Sequence, residues 1–307
     1  YCEQPNRHIF FDLNGQFLGW MDNAATDAET QTKLNTRRAE YVKLGRATQW
    51  LPGADNQLGY PFAFACEQPH VDLNAAINRL LGRDADDQLW GTWDGMQAGT
   101  KESPVSLVDV VTLVWKQRNS QLEHPLSSLN FSLFLSQLVI ESGAVKNARS
   151  KSNAIGILQL RPEAFADCGI DKRFYQHRMA QVDCAARLYV LNRRNLEPIF
   201  LQRFGHLEEA KRERLFGLLL VQSYHSGIGN MQKLLTDDVQ GKAATYFAEN
   251  HTKFSADDIL TGILFHNLGR EPWGWESLFY LLDIAITETV LCQQTEVKSL
   301  CREGPHK

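Results

Sequence analysis

The stretch "FLSQLVIESGAVKNARSKSNAIGILQLRP", Phe134 to Pro162, decides how this chain is read. Apolar side chains occupy Phe131, Leu133, Phe134, Leu135, Leu138, Val139 and Ile140, almost all round a helix, which marks a buried helix rather than an amphipathic surface one. The run delivers the chain onto Glu141, and Gly143 just beyond is a helix stop signal. Two effects then act on the carboxyl in the same direction. Burial disfavours its charged form, and so does the negative end of the helix dipole. A carboxyl that keeps its proton near neutral pH is what a general acid for glycosidic cleavage requires. A glutamate turned outward from the same helix end would be an ordinary solvated residue, so the residues around it carry the decision.

The flanking sequence supports a helical frame. From Ser106 onward, segments such as "SLVDVVTLVWKQRN", "QVDCAARLYVLNRRNL", "KRERLFGLLLVQSYH", "SADDILTGILFHNLG" and "WESLFYLLDIAITETVLC" show near-3.6 spacing or a solid apolar face, with Gly, Pro or polar punctuation between them. The expected fold class is all-α, with a helical domain over residues 105–295 and a short tail at 296–307. Residues 1–104 read as a mixed, mostly helical region without an assignable role. "HVDLNAAINRLLG" is a short helix with a Gly stop, and "WGTWDGMQAGTKESP" is a turn-rich linker or boundary over 91–104. Trp90 and Trp93 offer a sugar-stacking platform or simple packing, and packing is the expectation.

Composition narrows the function classes. The 307 residues are 43% hydrophobic and 22% charged with a net charge of −4, ordinary globular values with no basic footprint for nucleic acid. The mixed-sign run "RRNLEPIFLQRFGHLEEAKRER" reads as a solvated helix face. The longest apolar runs, "LFGLLLV" and "LFYLLDIAI", are too short to span a membrane. The chain opens at Tyr1 without Met or an apolar leader, as a processed or engineered end would. No HExxH, GxSxG, Walker A or GxGxxG pattern occurs, and the nine histidines lack ligand spacing, so neither metal nor cofactor is expected.

Six cysteines, Cys2, Cys66, Cys168, Cys184, Cys292 and Cys301, contain no CxxC pair. An even count suits three disulfides and an oxidising compartment; six buried thiols in a cytosolic protein are the alternative. Spacing suggests Cys168–Cys184 and Cys292–Cys301 as local bridges, which leaves Cys2 for Cys66.

The register downstream of Glu141 then turns the reading. Ser142 follows directly, Ala148 comes seven residues on, Ser150 nine, Ala154 thirteen, Gly156 fifteen, Gln159 eighteen and Pro162 twenty-one. Without insertion or deletion this resembles the signature of the soluble lytic transglycosylases, whose "GLMQ" reads here Gly156-Ile157-Leu158-Gln159. Lys146 stands where the family has Pro and Asn153 where it has Gly; Asn tolerates a left-handed backbone, so the second exchange is mild. "CAARLYVLNRRNL" resembles the family's tyrosine-bearing helix, with Tyr189 in place. "SYHSGIGN", 223–230, resembles its "AYNAGPG" turn: Tyr224, Gly227 and Gly229 match, whereas His225, Ser226 and Ile228 do not. In "WESLFYLL", Glu276 and Tyr280 keep the spacing of the family's "ETRxYV", with Leu278 for its Arg. The resemblance covers about Leu129 to Leu282.

It implies a lysozyme-like α fold and cleavage of peptidoglycan glycan strands between N-acetylmuramic acid and N-acetylglucosamine, with a 1,6-anhydro product and Glu141 as the single acid and base. It further implies that Ser150, Gln159, Tyr224 and Glu276 contact the carboxyl or the sugar, and that the protein is periplasmic or secreted; whether a protein inhibitor or cell-wall machinery partner controls it stays open. Two alternatives stay open: a hydrolysing lysozyme or chitinase-like enzyme, which needs a second carboxylate across the bond, and a glycan-binding scaffold with little activity.

Overall fold

Three short strands open the chain. The computed structural model describes residues 6–11, 17–46, 62–65, 68–122, 128–267 and 270–301. Within them β1 (Arg7–Phe11) pairs antiparallel with β2 (Phe17–Asp22) on one side and β3 (Phe62–Ala65) on the other. This sheet was not legible in the sequence because strands of four to six residues give too few alternations to register. Helix α1 (Asp27–Lys43) starts at Thr26, whose hydroxyl accepts the Glu29 N–H, and packs on the sheet: Tyr41 meets Phe10 edge-on and donates its phenol to the Leu18 carbonyl. Helix α2 (Leu73–Leu80) is capped by Asp72 and buries Ala76, Ile77 and Leu80.

The segment read as a linker is folded. β4 (Gly91–Trp93) and β5 (Met96–Ala98) form a hairpin across Asp94-Gly95, with φ +45° and +77°. Positive φ at both central positions matches the twist of paired strands, and Asp-Gly supplies it cheaply. Trp93 packs as expected, edge-on to Phe174 and donating its indole N–H to buried Asp183 at 2.9 Å, whereas Trp90 is exposed.

The remainder is helical. A Ser106–Asp109 capping box starts α3 (Leu107–Asn119), followed by α4 (Ser128–Ser142), α5 (Pro162–Asp167), the long α6 (Arg178–Phe204), α7 (Glu209–Ser226), α8 (Ile228–Thr236), α9 (Lys242–Glu249), α10 (Ala256–Asn267), α11 (Trp275–Leu291) and α12 (Thr295–Lys298). Every residue of α4 from Phe131 to Val139 is buried, because α11, α7, α2 and α3 cover it from different sides. The helix that the sequence marked as apolar nearly all round is therefore the central one. Buried side chains from Phe10 to Val297 form one continuous core, so packing crosses the expected boundary at 104, and α2 of the N-terminal region touches α4 directly. The expected tail begins inside this core, since Val297 is fully buried.

Both local disulfides expected from spacing are present. Cys168–Cys184 staples the end of α5 to α6, and Cys292–Cys301 closes the chain after α11. Cys2 and Cys66 lie outside the described residues. Among the described residues no helix is long and apolar enough to cross a membrane. Cys168 and Cys184 are separated by 16 residues, and a crosslink closing a loop of about that size contributes roughly 3 kcal/mol. The double Ser variant of this pair is expected to lose about that much stability in urea titration; an unchanged midpoint would contradict a stapling role.

Candidate active site

Glu141 sits in the last turn of α4, where the helix leaves its buried path. Gly143 and Ala144 both take left-handed backbone, at φ +62° and +60°, and turn the chain sharply away from the helix axis. The following loop is fastened to three helices. Ser142 donates its hydroxyl to the Ile157 carbonyl at 2.8 Å, tying the loop to the end of α4. From α6, the Gln181 side-chain carbonyl accepts the Ile157 N–H at 2.9 Å while its amide donates to the Tyr175 carbonyl. From α7, Tyr224 donates its phenol to the Leu158 carbonyl at 2.6 Å. Gly156 is required here: its φ is +75°, and a Cβ would lie 2.1 Å from the Gln181 amide. Asn153 takes φ +62°, the left-handed position for which Asn is one of the few tolerated replacements of Gly.

Glu141 accepts a hydrogen bond from the Tyr280 phenol of α11, Oη to Oε1 at 2.8 Å. Loss of water pushes the carboxyl up to about 7, against the opposing pull of that phenol and of Gln137. Gln137 lies one helical turn earlier on the same face, fully buried, with no hydrogen bond of regular geometry to its amide. Three phenols share the surroundings. Burial and then the Glu141 charge raise Tyr189, Tyr224 and Tyr280 above the ordinary tyrosine range, so all three stay protonated at neutral pH. The Tyr189 hydroxyl is buried without a hydrogen-bond partner. His225 stacks on Tyr280 with ring centroids 4.5 Å apart, and partial loss of water lowers the basicity of its ring, although the residue keeps an exposed edge. Among the described residues no second carboxylate perturbs Glu141.

The residues expected around Glu141 divide by what they touch. Tyr224 reaches its electrostatic surroundings while bonding the loop. Ser150 accepts the Ala154 N–H and pairs with Ser152, and Gln159 donates to the Gly156 carbonyl at 2.8 Å. Both close turns of the loop, and neither hydrogen-bonds the carboxyl. Glu276 is exposed in the first turn of α11, its carboxylate folded over Gly274, one turn before Tyr280. Tyr280 is the residue of that segment that reaches Glu141. Gln137 was missed although its signal was present: an amide four residues before Glu141, on a mostly apolar helix.

Among the described residues no group of three or more His, Cys, Asp or Glu side chains is arranged to hold a metal ion. An open depression of about 520 Å3 between β2 and α1, lined by Asn23, Thr32, Lys33 and Arg37 among others, shares no residue with this constellation. Compared with models of known protein families and with curated proteins, the chain has no match.

The raised carboxyl has a consequence for stability. Its folded value of about 7 lies above the 4.5 of an unperturbed glutamate, so between these pH values the folded state holds a proton that the unfolded chain has released. Stability from this group is therefore present at acid pH and is lost as pH rises through 7. Glu141→Gln removes the effect. The variant is expected to match the wild type near pH 4 and to exceed it by on the order of 2–3 kcal/mol at pH 8. Chemical denaturation at both pH values measures this; a difference that does not change with pH would contradict the raised carboxyl.

Proposed function

We propose that this protein is a peptidoglycan lytic transglycosylase with a lysozyme-like helical domain, in which Glu141 alone serves as general acid and then as general base. The observation that carries the reading is the Glu141 carboxyl, pushed up to about 7 by loss of water while Tyr280 donates to it, with no second carboxylate shifting it among the described residues. Asp283, one turn beyond Tyr280 on α11, is also pushed up to about 7 but is bonded by Gln68 and is not among the groups that act on Glu141. Retaining and inverting hydrolases require a second carboxylate opposite the first. An intramolecular attack requires only one.

In this reading Glu141 first donates its proton to the oxygen bridging N-acetylmuramic acid and N-acetylglucosamine, and the C1–O bond breaks. The carboxylate left behind takes the proton of the muramoyl 6-hydroxyl as that oxygen bonds to C1. The products are a 1,6-anhydromuramoyl end and a free 4-hydroxyl on the departing sugar, and Glu141 regains its proton without water being consumed. Tyr280 fits both halves of the cycle. Its phenol donates to the carboxyl and so stabilises the anion that exists between the two transfers. Burial favours the acid and the phenol favours the anion, which holds the group near the pH at which both forms are accessible. The two disulfides support export to the cell envelope, since such bonds persist in oxidising compartments.

The test is digestion of purified peptidoglycan followed by mass spectrometry. Wild-type protein is expected to release anhydro-muropeptides, with activity falling as pH rises above about 7, and Glu141→Gln to release none. Reducing-end products would replace the transglycosylase by a hydrolase, and binding without turnover by the wild type would leave a glycan-binding scaffold.

A further inference from the structure

The N-terminal region lies outside the family-like segment, yet it grips both partners of the Glu141–Tyr280 hydrogen bond. Arg79, in the last turn of α2, donates from Nε to the Gly143 carbonyl at 2.7 Å. That carbonyl belongs to the left-handed turn two residues after Glu141, at the negative end of α4, where a cation is favourable. The contact is close-packed: a Cβ on Gly143 would meet Arg79 Nη2 at 3.1 Å and the Ala76 Cβ at 3.8 Å. The chain just before α2 holds the other partner. Gln68 donates its amide to the Phe279 carbonyl and to the Asp283 carboxylate, and the His70 N–H points at Asp283 from 3.5 Å. Phe279 is in turn flanked by the rings of His8 and His70. Tyr280 sits between Phe279 and Asp283 on α11, so these bonds fix the helix on either side of the phenol.

We propose that the segment from Gln68 to Arg79 is a clamp for the candidate catalytic pair, with Arg79 as a positioning residue that holds the Glu141 turn and Gln68 as the one that holds the Tyr280 helix. The proposal rests on the acid role of Glu141 but not on the product it forms. Contacts from one short segment, the one from Arg79 charge-assisted, fix the relative placement of two helix positions that must meet within hydrogen-bond distance. Neither residue touches the carboxyl, so each acts through the backbone it holds. Without the clamp, the turn after Glu141 loosens and water reaches the carboxyl, which returns toward ordinary glutamate acidity.

The experiment measures the stability gained on Glu141→Gln at pH 8, in the wild-type background and in Arg79→Met, Arg79→Lys and Gln68→Ala backgrounds. Arg79→Met keeps the apolar stem and removes the donor. Its general cost to folding cancels in the difference, which reports only the surroundings of Glu141. The gain is expected to fall to about half or less in Arg79→Met and Gln68→Ala, and to be largely restored in Arg79→Lys. A gain that is unchanged in both overturns the clamp, and so does a larger gain in Arg79→Met, which would make Arg79 a charge partner rather than a holder. Should Arg79→Met not fold, Gln68→Ala alone decides. Peptidoglycan digestion by the same variants is expected to show kcat lowered by about tenfold or more with KM within about twofold. Failure of the wild type to release anhydro products while the stability cycle behaves as stated would reject the transglycosylase reading and leave the clamp intact.

Discussion

The hydrogen bond from Tyr280 to Glu141 joins the two helices on which the site depends. A carboxyl at the end of a buried helix is costly in its charged form, and the protein meets that cost with one phenol rather than an ion pair. An arginine in the same place would have fixed the negative charge and abolished the acid. A wholly apolar setting would have fixed the proton and abolished the base. Among the described residues the side chains that act on the carboxyl are a phenol and an amide, and the guanidinium of Arg79 donates instead to the Gly143 carbonyl.

The rest of the architecture follows from keeping that bond in register. α4 can be buried from Phe131 to Val139 because four helices cover it. The loop after Glu141 has little regular structure, so its shape comes from side chains that reach in from elsewhere: Ser142 from α4, Gln181 from α6 and Tyr224 from α7. Gly156 and Asn153 supply the backbone signs that such a path demands. Ion pairs set helix positions further away, as where Arg214 of α7 joins the buried Glu288 of α11 and the exposed carboxylate of Asp257 on α10.

Much of this was legible in the residues. The apolar run of α4, its stop near Gly143, the helix break at Gly227 and the two local disulfides follow from periodicity, glycine placement and cysteine spacing. The partner of Glu141 was only half legible, since Tyr280 lies 139 residues away and the sequence reading, though it noted Tyr280 at its spacing, named Glu276 as the contact. Ser150 and Gln159 carry a further role that the motif did not show: in the protein alone they close turns of their own loop. The small sheet and the β4–β5 hairpin escaped because short strands carry little periodic signal, although Asp94-Gly95 was a hairpin cue. The role of residues 68–79 was invisible for a different reason, because it consists of contacts to distant backbone.

The central claim is that the Glu141 carboxyl shares its proton near neutral pH, and direct titration tests it most simply. Carbon-13 labelling of glutamate side chains, with the Glu141 signal identified by its absence in Glu141→Gln, gives the ionisation curve by NMR in the absence of any substrate. The account predicts a midpoint near 7 for this signal. A midpoint near the 4.5 of an unperturbed glutamate would contradict it, because Glu141 would then be an ordinary anion at the end of a helix.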